Sequence, residues 1–91
     1  MNLAEIRRQI DILDDEILTL ILKRLEYLGI IAKIKLGNGL PIYDEAREQA
    51  ILGRVELVSG KSYKYVLPIF LEILNTSKLI QQEVRNSAKE D

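Results

Sequence analysis

The chain has 91 residues, enough for one small domain, with 47% hydrophobic and 30% charged residues and a net charge of −1. That balance suits a folded soluble chain and gives no basic footprint for nucleic acid or an anionic membrane surface. Histidine and cysteine are both absent, which excludes disulfides, Cys–His metal sites, and Ser–His or Cys–His nucleophilic catalysis.

Residues 2–36 hold no proline and are rich in helix formers. Leu3, Ile10, Ile17 and Ile31 recur at sevens, and Ile6, Leu13, Leu20, Tyr27 and Ile34 form a second row. This pattern predicts one long helix with a heptad-type apolar stripe. The start "MNLAEIRRQIDILDD" lacks the apolar core of a signal peptide, and no uninterrupted apolar run is long enough to span a membrane. A cytoplasmic protein is the expectation. "LGNGLPIYD" (36–44) is read as a loop, because its glycines, asparagine and proline end a helix.

Asp44 is placed as the N-cap of a second, short helix reaching about Val58, with Glu48 near its first turn and Ile51, Val55 and Val58 facing inward. "SGKSYK" is read as the second turn. Its "GKS" is not a phosphate loop, since the glycine that motif requires five positions earlier is Val55. A third, medium-length helix is expected over 63–86, with Pro68 near its first turn or at a kink and a stripe of Val66, Phe70, Ile73, Ile80 and Val84. The polar tail "NSAKED" is expected to fray.

The length of the first helix carries a consequence. At about 1.5 Å per residue it spans roughly 50 Å. A compact globule of this size has a radius of gyration near 12 Å. The helix overshoots its own domain, so its stripe needs a cover, and a second copy of the chain is the simplest one. The expected architecture is all-α: three helices per chain, one long, one short and one medium, in an intertwined homodimer.

Polar residues interrupt the stripes. Arg24 replaces the aliphatic residue in the row Leu3, Ile10, Ile17, Ile31. Lys35, eleven residues on, points within about 20° of Arg24 and lies roughly 16 Å further along the axis. Ser77 interrupts the row from Phe70 to Val84, and Gln81 lies one turn beyond Ser77. Each has an ordinary reading: Arg24 snorkels from the edge of the core, Lys35 answers the helix dipole, Ser77 is a small polar residue, Gln81 lies on the surface, and Arg47 and Glu48 form a solvated helix start. Together they point to an anionic ligand, because buried cations cost several kcal/mol unless paired, and the stripe positions around them supply few counter-ions, Asp14 and Glu48 being the main ones. Arg7 and Arg24 lie roughly 26 Å apart on one helix, so they can share a small ligand only if one comes from another subunit.

These residues resemble the all-helical chorismate mutases over nearly the whole chain. "IRRQIDILDDEILTLILKR" carries the family's Arg, Asp and second Arg at Arg7, Asp14 and Arg24; its lysine falls at Lys35; "PIYDEAREQ" matches an Asp-x-x-Arg-Glu motif at Asp44, Arg47 and Glu48; and "SKLIQQ" matches a Ser-x-x-x-Gln pair at Ser77 and Gln81. The turn around "SGKSYK" is shorter than in familiar members. The resemblance implies the rearrangement of chorismate to prephenate with no cofactor or metal. By it, Arg24, Lys35, Glu48 and Gln81 are catalytic, and Arg7 (across subunits), Asp44, Arg47 and Ser77 bind substrate. Two further readings stand beside it: an isochorismate-pyruvate lyase, and a non-catalytic mutase-like domain partnering an aromatic-pathway enzyme.

Overall fold

The structure is a computed structural model and describes residues 1–90. Helix α1, Leu3–Gly37, starts at Asn2, whose side chain accepts from the Glu5 N–H at 2.9 Å. It stops at a turn in which Gly39, at φ +66°, allows the Leu40 N–H to reach back to the Lys35 carbonyl (2.8 Å) and the Gly39 N–H to reach Leu36 (3.2 Å). That paired closure is a Schellman motif, and it satisfies carbonyls that a helix end otherwise leaves without donors.

Asp44 caps α2, Glu45–Ser59, as expected, accepting from the Arg47 N–H at 3.0 Å. The second turn differs from the expectation. No loop separates the second and third helices: a single 3-10 turn, Gly60–Ser62, leads directly into α3, Tyr63–Glu90. The helical residues therefore form two continuous runs, 3–37 and 45–90, the second bent at Gly60, instead of three helices parted by two loops. Gly60 makes the bend at φ +54°, ψ −125°, a conformation costly to any residue with a Cβ.

Pro68 lies in the second turn of α3, not its first, so the Lys64 carbonyl lacks the N–H donor that residue 68 would ordinarily supply. The helix also continues through Asn86–Glu90, where a frayed tail was expected, while Asp91 lies outside the described residues.

Packing within the chain is sparse. α3 lies against both α1 and α2. The buried apolar residues are Leu28 and Ala32 of α1, Val55 of α2 and Leu74 of α3. Val58, expected to face inward, is 76% exposed. The in-chain face of α1 centres on Leu28 and Ala32, one residue round the helix, about 100°, from the heptad row through Tyr27 and Ile34. The heptad stripe is left open: Leu3, Ile10, Leu13, Ile17 and Leu20 are all exposed.

The molecule measures 55 × 28 × 14 Å with a radius of gyration of 16.6 Å, against about 12 Å for a compact chain of this length. Its accessible surface is 7300 Å², where a folded monomer of this mass exposes roughly 5400 Å².

The two backbone situations separate two glycines. Gly60→Ala should lower stability by about 1–3 kcal/mol, because of its positive φ. Gly53→Ala, in the middle of α2 with open space around the added carbon, should raise it by about 0.5–1 kcal/mol. Chemical denaturation of both variants measures the difference; equal effects would contradict the bend assigned to Gly60.

Candidate active site

One cleft collects seven of the eight residues singled out in the sequence. Arg24 and Lys35 reach it from α1, Asp44, Arg47 and Glu48 from the start of α2, and Ser77 and Gln81 from α3. Its volume is about 160 Å³, and Leu28, Ile31, Ile42, Ile51 and Leu74 supply the apolar wall. Arg7 does not reach it: it lies exposed on the N-terminal half of α1, as does Asp14.

Ser77 and Gln81 are each only 5% exposed, so both belong to the interior and not to the surface of α3. Each meets a cation. The Arg24 guanidinium donates from Nη1 to Ser77 Oγ. That hydroxyl in turn donates to the Ile73 carbonyl at 2.6 Å. The bond back into its own helix fixes the hydroxyl proton, so Ser77 Oγ can only accept from Arg24.

Lys35 Nζ donates to the Ile42 carbonyl at 2.7 Å and to Gln81 Oε1 at 2.9 Å. An ammonium has no acceptor, so the amide atom facing it must be oxygen. Gln81 Nε2 donates to the Ser77 carbonyl at 3.1 Å. An ammonium has three N–H groups and an amide nitrogen two. After these bonds Lys35 and Gln81 each keep one N–H with no partner among the described residues, and both side chains line the cleft.

The charges do not balance. Arg24, Lys35, Arg47 and Lys78 face Asp44 and Glu48, a net charge of +2. The ion pair among the described residues is Lys78 Nζ to Glu48 Oε2 at 3.2 Å, with Oε1 at 3.4 Å. Asp44 is engaged as the cap of α2. Burial, and after it the positive charge of Arg47, push the Arg24 pKa below the ordinary arginine value. A guanidinium stays protonated regardless, so the shift marks an electrostatic cost that an anion in the cleft would relieve. Among the described residues no three His, Cys, Asp or Glu side chains come together as metal ligands.

Lys78 escaped the sequence reading. Its ammonium also lies 5.2 Å from the centre of the Tyr43 ring, within cation–π range. Both members of its pair with Glu48 are partly solvated, so the pair contributes under ~1 kcal/mol to stability; its effect is to hold the Glu48 carboxylate at the cleft wall. The partners are thirty residues apart on different helices, and helical periodicity does not report such a pairing.

The model of type II chorismate mutases matches residues 6–82. The chain belongs to this family. Among its relatives is the chorismate mutase of Methanocaldococcus jannaschii, 45% identical over 85 residues, covering 90% of this chain and 86% of that one. The T-protein of Haemophilus influenzae is 42% identical over 60 residues, 66% of this chain, and the chain spans only 16% of that protein's length. A solved structure, a conserved hypothetical protein from Pyrococcus furiosus, is similar with a TM-score of 0.73 and 39% identity, covering 87% of this chain and 93% of that one. The sequence resemblance to all-helical chorismate mutases is therefore correct. Among the described residues no helix is long and apolar enough to cross a membrane.

For this chorismate mutase family member, the electrostatics of Arg24 give a stability prediction. Replacing a desolvated cation that has no carboxylate partner by an apolar side chain of similar length is neutral or stabilising. Arg24→Met should therefore keep or raise the melting temperature of the ligand-free protein. A large drop would make Arg24 a structural strut acting through Ser77.

Proposed function

We infer that the protein is an isomerase that rearranges chorismate to prephenate, in the route to phenylalanine and tyrosine. The observation that carries this is the pairing of Lys35 with Gln81, each with an unused N–H, inside a cleft of net charge +2.

The substrate is a dianion with an enolpyruvyl ether. Guanidinium groups bind carboxylates by two parallel bonds, which fixes direction as well as position. Arg24 has most of its donors uncommitted, and the Arg47 guanidinium makes no hydrogen bond among the described residues. Both are suited to the carboxylates. In the transition state the carbon–oxygen bond of the ether breaks while a new carbon–carbon bond forms, and negative charge grows on the ether oxygen. The spare N–H groups of Lys35 and Gln81 donate there. Charge stabilisation that exists only in the transition state raises kcat. Glu48 accepts the ring hydroxyl, held for that by Lys78, while Asp44 and Ser77 complete the wall. The cleft must also hold the flexible ether folded, with its bond-forming carbons close. Even the low end of enzymatic acceleration, about 10⁶-fold, requires roughly 8 kcal/mol. An electrostatic contribution plus conformational restriction is sufficient for it.

The active unit in this reading is a homodimer. A volume of about 160 Å³ is below the roughly 300–1000 Å³ of usual ligand sites, which suits a wall completed by another chain. The open stripe of α1, and a surface about 1900 Å² larger than a compact monomer exposes, suit the same partner. Arg7 is then the residue that enters the neighbour's cleft.

Chorismate loss followed by ultraviolet absorbance, with product identification, tests the activity. Prephenate is expected from the purified chain alone; no turnover would contradict the assignment, and pyruvate release from isochorismate would move it to a lyase. Lys35→Ala should remove most turnover with helicity intact. Mixing inactive Arg7→Ala with inactive Lys35→Ala subunits should recover part of the activity, because one of the two shared clefts becomes intact. Verified heterodimers with no recovery would contradict a site shared between chains.

A further inference from the structure

Segment 38–44 touches more of the cleft than its length suggests. It carries Ile42, whose carbonyl holds Lys35 Nζ. It carries Tyr43, whose ring lies against Lys78, which in turn holds Glu48. It ends at Asp44, which caps α2. Its start is fixed by the Gly39 turn, where the Leu40 N–H bonds the Lys35 carbonyl. Lys35 therefore brackets the segment, with its main chain at one end and its ammonium at the other.

One side chain fastens the middle of this segment from outside the cleft. Arg85, one turn beyond Gln81 on α3, donates from Nη2 to the Leu40 carbonyl at 2.7 Å. Arg85 does not line the cleft. Its Nε is buried, and among the described residues it meets no acceptor. A buried donor without a partner is destabilising. Fold stability alone would thus be served as well by an aliphatic residue there. The Leu40 carbonyl it binds belongs to a residue 50% exposed, where water can take over the bond.

We propose that Arg85 is a positioning residue for catalysis: by latching the Leu40 carbonyl to α3 it fixes segment 38–44, and through the Ile42 carbonyl it sets where the Lys35 ammonium stands. This rests on the mutase reading above. Arg85 touches no substrate, and its action runs through two peptide units and two hydrogen bonds, its own to the Leu40 carbonyl and that of Lys35 to the Ile42 carbonyl. A displacement of the order of 1 Å at a transition-state donor costs catalysis far more than it costs binding. Arg24 and Arg47, which would hold the carboxylates, do not depend on this segment's middle.

The test compares Arg85→Leu and Arg85→Lys with the parent protein in three measurements: steady-state kinetics with chorismate, melting temperature, and amide hydrogen exchange at Leu40. For Arg85→Leu the expected result is a kcat lower by about tenfold with KM within about twofold, a melting temperature unchanged or raised, and faster exchange at Leu40. Arg85→Lys, which keeps a donor, should recover part of kcat. An unchanged kcat together with unchanged exchange would overturn the proposal. So would a loss of kcat that follows a fall in melting temperature, which would mark an ordinary structural role. If the parent protein does not turn over chorismate, the mutase reading fails by itself; the exchange measurement still decides whether Arg85 holds the segment.

Discussion

Positive charge in the cleft without carboxylate partners is the constraint on which the rest of this structure depends. Arg24 and Lys35 come off the same helix into a half-buried cleft, and neither meets an acid. Their partners are neutral: a serine hydroxyl, a main-chain carbonyl and a glutamine oxygen. Neutral acceptors orient a cation without cancelling its charge. A carboxylate in those places would stabilise the ligand-free chain and leave less field for an anionic guest. Ser77 and Gln81, buried on α3 among aliphatic neighbours, are explained by this requirement and not by packing. Both spend one hydrogen bond on their own helix, which freezes the atom turned toward the cation.

The same helix serves two purposes through two faces. One, centred on Leu28 and Ala32, packs inside the chain and carries Arg24 and Lys35 at its edges. The other, the N-terminal stretch of the heptad stripe with Leu3, Ile10, Leu13, Ile17 and Leu20, is left exposed in a single chain. With four apolar side chains buried among the described residues, the interior is too small to offset the conformational entropy of ordering a chain of this length. On the dimer reading, folding and function share one event: the association that covers the stripe also closes the cleft and delivers Arg7. Activity and stability would then both depend on protein concentration.

Much of this was legible in the sequence because it is local or periodic. The limits of α1, the cap at Asp44 and the shared faces of Arg24 with Lys35 and of Ser77 with Gln81 follow from spacing along helices, whereas the meeting of these residues with Glu48 in one site was implied by the resemblance to chorismate mutases. What was not legible depends on how helices meet. Val58 reads as apolar and in phase, yet α3 leaves it in solvent, since phase does not say how wide a contact is. The 3-10 turn at Gly60 replaced an expected loop, because a glycine at positive φ can redirect a helix without any intervening coil. Lys78 and Arg85 were invisible for another reason. Each acts across 30 or more residues of sequence on a group belonging to another element, and nothing in local pattern marks such a partner. Gln81 is intermediate: its place was legible, but the orientation of its amide follows only from the ammonium opposite.

The central claim is that the uncompensated cations of this cleft form a receptor for two carboxylates flanking an ether oxygen. Calorimetric titration with a bridged bicyclic ether bearing two carboxylates, a stable mimic of the folded reacting geometry, measures this most directly. One equivalent per chain should bind, and esterifying either carboxylate should weaken binding by tenfold or more, on the order of 1.4 kcal/mol or above for each lost charge-assisted pair. Equal affinity for the diacid and its monoesters, or no binding at all, would contradict the account.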